Sequence, residues 1–433
     1  MLEALRGILP DTAVSRGPHL VMGGCDAVEL VKRYGTPLYV YDDATIRARA
    51  RAFRSALRTY PARATVAYAA KAYCAPWLLR LIQEEGLGLD VVSAGELHVA
   101  SVVGFARERI HLHGNNKTDD ELDAAIRERV GRVVIDSRDE IERLAARART
   151  AGVRQRVLLR VNPGVAAHTH EHLQTGAADS KFGLAPDVAF DAARRIASHD
   201  SLELRGLHAH IGSQIGDVAP YRSALLTLFD LARRLRDKRI DVHELSPGGG
   251  YPVRYTPDDP AMDAPAMVAA IATAVIGAVR ETGLAPPELF IEPGRALVAT
   301  AGVALYRVGS VKEIAGIRTY VAVDGGMADN IRPTAYGASY TALLANRADA
   351  EPDTRVAIAG RYCESGDVLI RDVRLPRPVP GDVVAVPASG AYQLAMASTY
   401  NMVPRPAVVV VTDGRARLVR RRETYGDLMS ADV

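Results

Sequence analysis

The sequence predicts an α/β protein, a (β/α)8 TIM barrel followed by a β-rich domain that N-terminal residues complete. Two observations carry this. Over residues 65–295, eight short β-rich runs alternate with segments whose apolar residues recur at three- and four-residue spacing. After Arg295 the texture changes to β-rich runs and turn residues with little helix. A doubly wound open sheet is the alternative reading of the first observation.

In chain order, residues 1–35 hold "PHLVMGG" and a short helical segment, "DAVELVKRYG", and are assigned to the β domain. Residues 36–298 form the barrel. Its strands are read in "TVAYAAKA", "GLDVVSAGE", "IHLHGNN", "RVVIDS", "RVLLRVNPG", "LRGLHAHIGSQ", "HELSPGGGYP" and "LFIEPGR". Between them, "DELDAAIRER", "RDEIERLAARART" and "YRSALLTLFDLARRLRDK" place charge on one helical face and apolar side chains on the other. Residues 299–433 supply the β domain through "VALYRVGSVKEI", "RTYVAVDGG", "TRVAIAGRYCESGDVLI", "GDVVAVP" and "AVVVVTDGRARLV". "YTPDDPAMDAP" and "LPRPVPGD" read as surface loops.

Bulk properties exclude several classes of function. With 433 residues and 48% hydrophobic content, the chain can bury a sizeable core. Its 54 basic and 51 acidic residues leave a net charge of +3, and the basic residues are scattered, so nucleic acid is not an expected partner. Cys25, Cys74 and Cys363 are too few and too widely spaced for a disulfide framework or a cysteine-rich metal site, and no metal is expected. They suit a reducing cytoplasm. The N-terminal stretch has charge inside its short apolar run, and no uninterrupted apolar run reaches spanning length, so neither secretion nor a membrane is expected.

Chemistry is expected where unusual residues meet strand ends. Lys71 closes an apolar run, although lysine is seldom buried; in isolation it would simply reach solvent along its aliphatic stem. It has company, however. Asp90 lies in the second run, His210 ends the sixth, Gly248, Gly249 and Gly250 follow the seventh, and Glu292 to Arg295 end the eighth. The C-terminal strand ends form the active face of a barrel, and loops after strands seven and eight are its usual phosphate cradle. An anion cradle, a lysine and a carboxylate together point to pyridoxal 5'-phosphate, whose aldehyde needs a lysine and whose ring nitrogen needs a protein partner.

The motifs "YAAKAY", "DVVSAGEL", "HTHEHLQTGAADSKFGL", "GLHAHIGSQI", "SPGGGYPV", "EPGRALV", "DNIRPTAYG", "CESGDVL" and "GAYQLAMASTYN" follow one another along nearly the whole chain. In that order they closely resemble the bacterial diaminopimelate decarboxylases. Some are shared with ornithine and arginine decarboxylases of the same fold; "TGAADSKFG", "HIGSQ", "CESGD" and the "IRP" to "YG" pattern are similar to the diaminopimelate branch.

The resemblance implies a role for each position. Lys71 would hold the cofactor covalently, His210 would stack on its ring, and Glu292 would pair with its nitrogen. Ser213, Gly250 and the backbone of Gly294 and Arg295 would meet the phosphate with Gly248 and Gly249 in the cradle, Tyr392 would add a hydroxyl, and Asp90 would support the network near Lys71 and His210. Cys363 would return a proton to Cα after CO2 leaves. The substrate carries an amino-acid group at each end, and ornithine or lysine offered for decarboxylation has no carboxylate at the far end. Arg295 and Arg332 would bind that carboxylate with the Tyr336 hydroxyl, Glu364 would accept the far ammonium, and Tyr392 would also contact the substrate.

The same resemblance implies a homodimer in which the Cys363 loop serves the other subunit's barrel. Two departures stand out: Gln393 where cysteine is expected, and Tyr73 where asparagine is common. Two other readings remain, a decarboxylase of this fold acting on ornithine, arginine or a carboxylated polyamine, and a non-catalytic cofactor-binding homologue.

Overall fold

The computed structural model describes residues 2–165 and 179–433, which divide into two compact units. One comprises residues 50–252 and 263–294, the other residues 1–49, 253–262 and 295–433. Of the motifs above, "HTHEHLQTGAA" lies outside the described residues.

The first unit is a closed barrel of eight parallel strands: Ala64–Ala69, Gly88–Val91, Ile110–Leu112, Arg132–Ile135, Gln155–Arg160, Leu202–His208, Glu244–Ser246 and Glu288–Ile291. The eighth strand closes on the first with Leu289 opposite Ala64 and Ile291 opposite Val66. These runs are largely apolar because a barrel strand is covered on both faces, by inward side chains and by helices. The helices begin where the sequence provides caps. Ser93 and Ser137 accept the N–H groups of Glu96 and Glu140, and Thr118 forms a reciprocal capping box with Glu121.

The helix Ala264–Thr282 is 19 residues long, and an 18-residue window of it reaches a mean hydropathy of 1.4, enough by length and composition to cross a membrane although Arg280 and Glu281 interrupt its apolar run. It packs on the helix Ala219–Arg236 and buries Val268, Ile271, Ala272 and Val275. Its apolarity therefore has a packing role within the barrel layer.

The second unit is built on a nine-stranded sheet. Its central strand, Gly302–Ile314, pairs antiparallel with Leu38–Asp42, Arg318–Val323 and Val383–Val386. Leu38–Asp42 runs parallel to Ala407–Thr412 on its other side. The anticipated boundary at residue 36 is thus displaced: the fully buried run "LYVYD" is a strand of this sheet, and the unit keeps the chain through residue 49. The later boundary falls after Gly294, where 298 was anticipated, and residues 253–262 also fold with this unit. A three-stranded sheet, Val14–Arg16, His19–Met22 and Cys25–Asp26, completes its N-terminal part.

Candidate active site

At the C-terminal strand ends of the barrel lies a cavity of about 340 Å³, lined by Lys71, Asp90, His113, Arg160, His208, His210 and Glu292 among others. Lys71 is exposed and sits in a short 3-10 turn, Ala70–Ala72, directly after the first strand. Neighbouring backbone fixes that turn. The Ala69 N–H donates to the Pro293 carbonyl at 3.1 Å, and a Cβ on Gly294 would lie 3.2 Å from the Cβ atoms of both Ala69 and Ala72.

The Glu292 Oε1 accepts from the Ser246 hydroxyl at 2.5 Å, and its Oε2 lies 3.0 Å from His208 Nε2. Burial pushes the Glu292 carboxyl up, but His208, His113 and the Ser246 hydroxyl outweigh that and hold it well below the usual carboxylate range. Glu292 is a buried anion. Burial, together with the charges of Lys71 and Arg160, pushes His210 well below the ordinary histidine value, so its ring is neutral. His210 Nδ1 accepts the Gly249 N–H at 3.1 Å, which leaves the ring proton on Nε2.

The glycine run is a backbone cradle that side chains could not enter. A Cβ on Gly249 would lie 2.0 Å from the Glu292 carbonyl oxygen, and one on Gly248 2.5 Å from that of Ala209. Gly250 has a φ of +102°, and its Cβ would lie 2.5 Å from the Gly212 carbonyl oxygen. Two stacked tyrosines fix this run from behind, Tyr221 donating to the Gly249 carbonyl at 2.8 Å and Tyr251 to that of Gly248 at 3.2 Å.

The three glycines are not equivalent. The Gly248 N–H donates to Ser246 Oγ and the Gly249 N–H to His210, so among the described residues only the Gly250 N–H of the three has no partner. The Ser213 loop is tied to the same place, the Ile215 N–H donating to the Gly250 carbonyl at 3.0 Å. A buried carboxylate, a neutral histidine ring, a lysine and an anion cradle fit the donor and acceptor needs of pyridoxal phosphate.

In the other unit, Arg295 and Arg332 are each 5% exposed. The Arg295 Nη1 donates to the Tyr255 hydroxyl at 2.5 Å, and its guanidinium lies 4.7 Å over the Tyr392 ring. Tyr392 holds a φ of +59°, a left-handed conformation uncommon for an aromatic residue. Arg332 opens the short helix Arg332–Tyr336, and its Nη1 donates to the Tyr340 hydroxyl. Tyr336, the anticipated companion of Arg332, is half-buried at the end of that helix. Cys363 and Glu364 are exposed on a loop wrapped around Asp367, whose carboxylate accepts the N–H groups of Tyr362 at 2.8 Å and Met327 at 2.7 Å. The Cys363 N–H donates to the Asn401 side chain.

Residues 43–299 match the family model described as "Pyridoxal-dependent decarboxylase, pyridoxal binding domain". Over 418 residues the chain is 48% identical to the diaminopimelate decarboxylase of Bacillus subtilis, covering 96% of this chain and 95% of that one. The chain belongs to the diaminopimelate decarboxylase family. It is 44% identical to the Mycobacterium tuberculosis member over 424 residues, covering 95% and 94% of the two chains. Among solved structures it resembles a diaminopimelate decarboxylase from M. jannaschii in complex with L-lysine, with a TM-score of 0.92, 32% identity and 98% of each chain covered.

Several pocket residues of this family member escaped the sequence reasoning. Asp90 Oδ1 lies 3.5 Å from both His111 Nδ1 and His113 Nε2, and these three with Glu292 bring four potential ligand atoms within 4.8 Å of one another. The His113 ring meets His208 edge to face at 5.0 Å. Arg160 ends the fifth strand as Lys71 follows the first, and its guanidinium lies 4.4 Å over Phe182. A signal was present: in "IHLHGNN" the two histidines are two apart on a strand and share one face. Burial and the nearby Glu96 push the Cys74 thiol up to about 12, so it stays protonated.

Proposed function

We propose that this chain decarboxylates meso-2,6-diaminopimelate at its D centre, giving L-lysine and CO2, with pyridoxal 5'-phosphate as cofactor in the cytoplasm. The observation that carries the substrate choice is the pair of buried guanidiniums, Arg295 and Arg332, set among tyrosine hydroxyls and rings. Among the described residues Arg332 has no ion pair. A far carboxylate would satisfy such a cation; ornithine would leave Arg332 facing only hydroxyls and ring faces.

Bound pyridoxal phosphate supplies an electron sink for the pair left on Cα when the carboxylate departs. Lys71 would hold its aldehyde carbon, and the Glu292 carboxylate would keep the proton on the ring nitrogen. The neutral His210 ring would cover one face without repelling that cation. Gly250, Ser213, Gly294 and Arg295 would receive the phosphate with Tyr392, the Gly248 and Gly249 N–H groups acting instead within the protein. Cys363 would deliver the proton to Cα, Glu364 would accept the far ammonium, and Tyr336 would complete the far carboxylate's contacts.

We further propose a homodimer with shared active sites. Met396, Tyr400 and Met402 are large apolar residues 38%, 41% and 53% exposed, on the same segment whose Asn401 holds the Cys363 backbone. An exposed apolar patch beside a catalytic loop supports an interface there.

Two experiments test these readings. CO2 release from meso-diaminopimelate should depend on added cofactor and exceed that from L-ornithine; a preference for L-ornithine would overturn the substrate. Lys71→Ala and Cys363→Ala proteins, each nearly inactive, should regain about a quarter of wild-type activity after mixing and subunit exchange. No recovery after proven exchange would place both residues' work within one chain.

A further inference from the structure

Two guanidiniums buried close together repel each other and have each lost water, so something must hold them in register before a carboxylate arrives. Tyr255 touches both. Its hydroxyl accepts from Arg295 Nη1 at 2.5 Å and interacts with the Arg332 side chain, and its ring face lies 5.7 Å from the Arg295 and 4.7 Å from the Arg332 guanidinium carbon. Tyr340 closes the other side of Arg332, accepting from its Nη1 and meeting the Tyr255 ring edge to face at 5.2 Å.

Tyr255 is itself held rigidly. Asp259 Oδ2 accepts the Tyr255 N–H at 2.7 Å and the Thr256 N–H at 2.9 Å, and Arg254 Nη2 donates to the Pro257 carbonyl at 2.7 Å. The loop is therefore pinned from within, and the 6%-exposed phenol enters the cluster in one orientation. This also gives a purpose to residues 253–262, which fold with the β unit although barrel sequence flanks them.

We propose that Tyr255 is the positioning residue for far-carboxylate recognition, its hydroxyl and ring fixing Arg295 and Arg332 so that both present donors to one carboxylate. This rests on the role given to those arginines above. Burial pushes the Tyr255 hydroxyl up, but the two arginines outweigh that and hold it below the ordinary tyrosine value, as expected of an oxygen that accepts from cations. The contacts lie with the far end of the substrate, so their loss weakens binding and leaves the bond-breaking step nearly unchanged.

Tyr255→Phe keeps the ring and removes the hydroxyl. In the holoenzyme, the KM for meso-diaminopimelate should rise about tenfold with kcat within about twofold of wild type. Inhibition gives a readout independent of turnover. L-lysine carries the amino-acid group of the far end and cadaverine does not, so the variant's inhibition constant should rise about tenfold for L-lysine and stay unchanged for cadaverine. Asp259→Asn, which loosens the loop but keeps the hydroxyl, should shift the same ratio less.

A parallel rise for both inhibitors, or a fall in kcat with KM unchanged, overturns the role of Tyr255. A wild type that binds L-lysine no better than cadaverine overturns the arginine assignment itself. The cofactor absorbance and thermal midpoint of Tyr255→Phe should match wild type; if that variant does not fold, an unchanged inhibitor ratio in Asp259→Asn overturns the proposal.

Discussion

Each unit buries a carboxylate, and the two behave oppositely. In the barrel, Glu292 accepts from Ser246 and His208 and stays ionised. In the β unit, Asp329 is pushed up to about 6 by burial, although Tyr306, Tyr39 and the Gly326 N–H donate to it. The difference lies in the neighbours. Glu292 has the imidazoles of His208 and His113 nearby, whereas Asp329 has neutral hydroxyls and a second carboxylate, Asp367. Burial alone does not set the charge of an acid; the nearest donors and charges decide whether it serves as an anion or as a neutral hydrogen-bonding group.

The same contrast separates the two sets of functional residues. The barrel pocket is lined by a buried anion, a lysine and a neutral histidine ring, so most single changes there should remove an atom the proposed cofactor needs. The β unit instead gathers cations against tyrosines, so changes there should alter which substrate is bound. The largest effect should come from Lys71→Ala. The wild type should be yellow, and borohydride should fix its cofactor at residue 71; the variant should lose that link and nearly all turnover. Full activity in Lys71→Ala would remove the barrel pocket from the reaction.

Next in size is the barrel carboxylate itself. Glu292→Gln keeps the shape and removes the charge, and kcat should fall about 10²- to 10³-fold while the cofactor still binds. A spectrum and kcat like those of the wild type would show that the anion is not required. On the β side, Arg332→Ala removes one buried charge-assisted contact, worth about 2–4 kcal/mol, or on the order of 30- to 1000-fold in kcat/KM for meso-diaminopimelate. The slow rate with L-lysine as substrate, if measurable, should change little. Equal losses on both substrates would assign Arg332 to the fold or the cofactor.

How much of this could be read from the chain depends on how local each signal is. The barrel strands announce themselves as short apolar runs between amphipathic helices, and Lys71, His210 and Glu292 stand out as polar residues at their ends. Leu38–Asp42 has the same apolar texture, and nothing nearby reveals that its partners lie at Gly302–Ile314 and Ala407–Thr412. Tyr255 and Tyr340 were silent for a related reason. A tyrosine in a loop carries no periodic signal, and its meaning comes only from the arginines that distant segments bring to it. The glycine run stands out in the sequence as a candidate cradle, but which of its N–H groups is left for a ligand depends on Ser246 and on His210, which a distant segment brings to it.

The smallest effect expected is also the one that tests the opening contrast most directly. Asp329 has a folded-state pKa of about 6 against an ordinary 3.8, so between those values the folded state binds more protons than the unfolded chain. Its contribution to stability is complete below about pH 4 and is lost as pH rises to about 6, by roughly 3 kcal/mol at most for a shift of about two units. Glu292 has the opposite sign, because its folded-state pKa lies below the ordinary value and its contribution is lost as pH falls. Urea midpoints measured from pH 4 to pH 7 should therefore show Asp329→Asn losing less stability, or gaining more, than wild type as pH rises. Glu292→Gln should depart from wild type in the other direction, mainly toward the acid end. Parallel pH profiles in wild type and Asp329→Asn would mean that the tyrosine hydroxyls stabilise the Asp329 anion as effectively as the imidazoles stabilise Glu292.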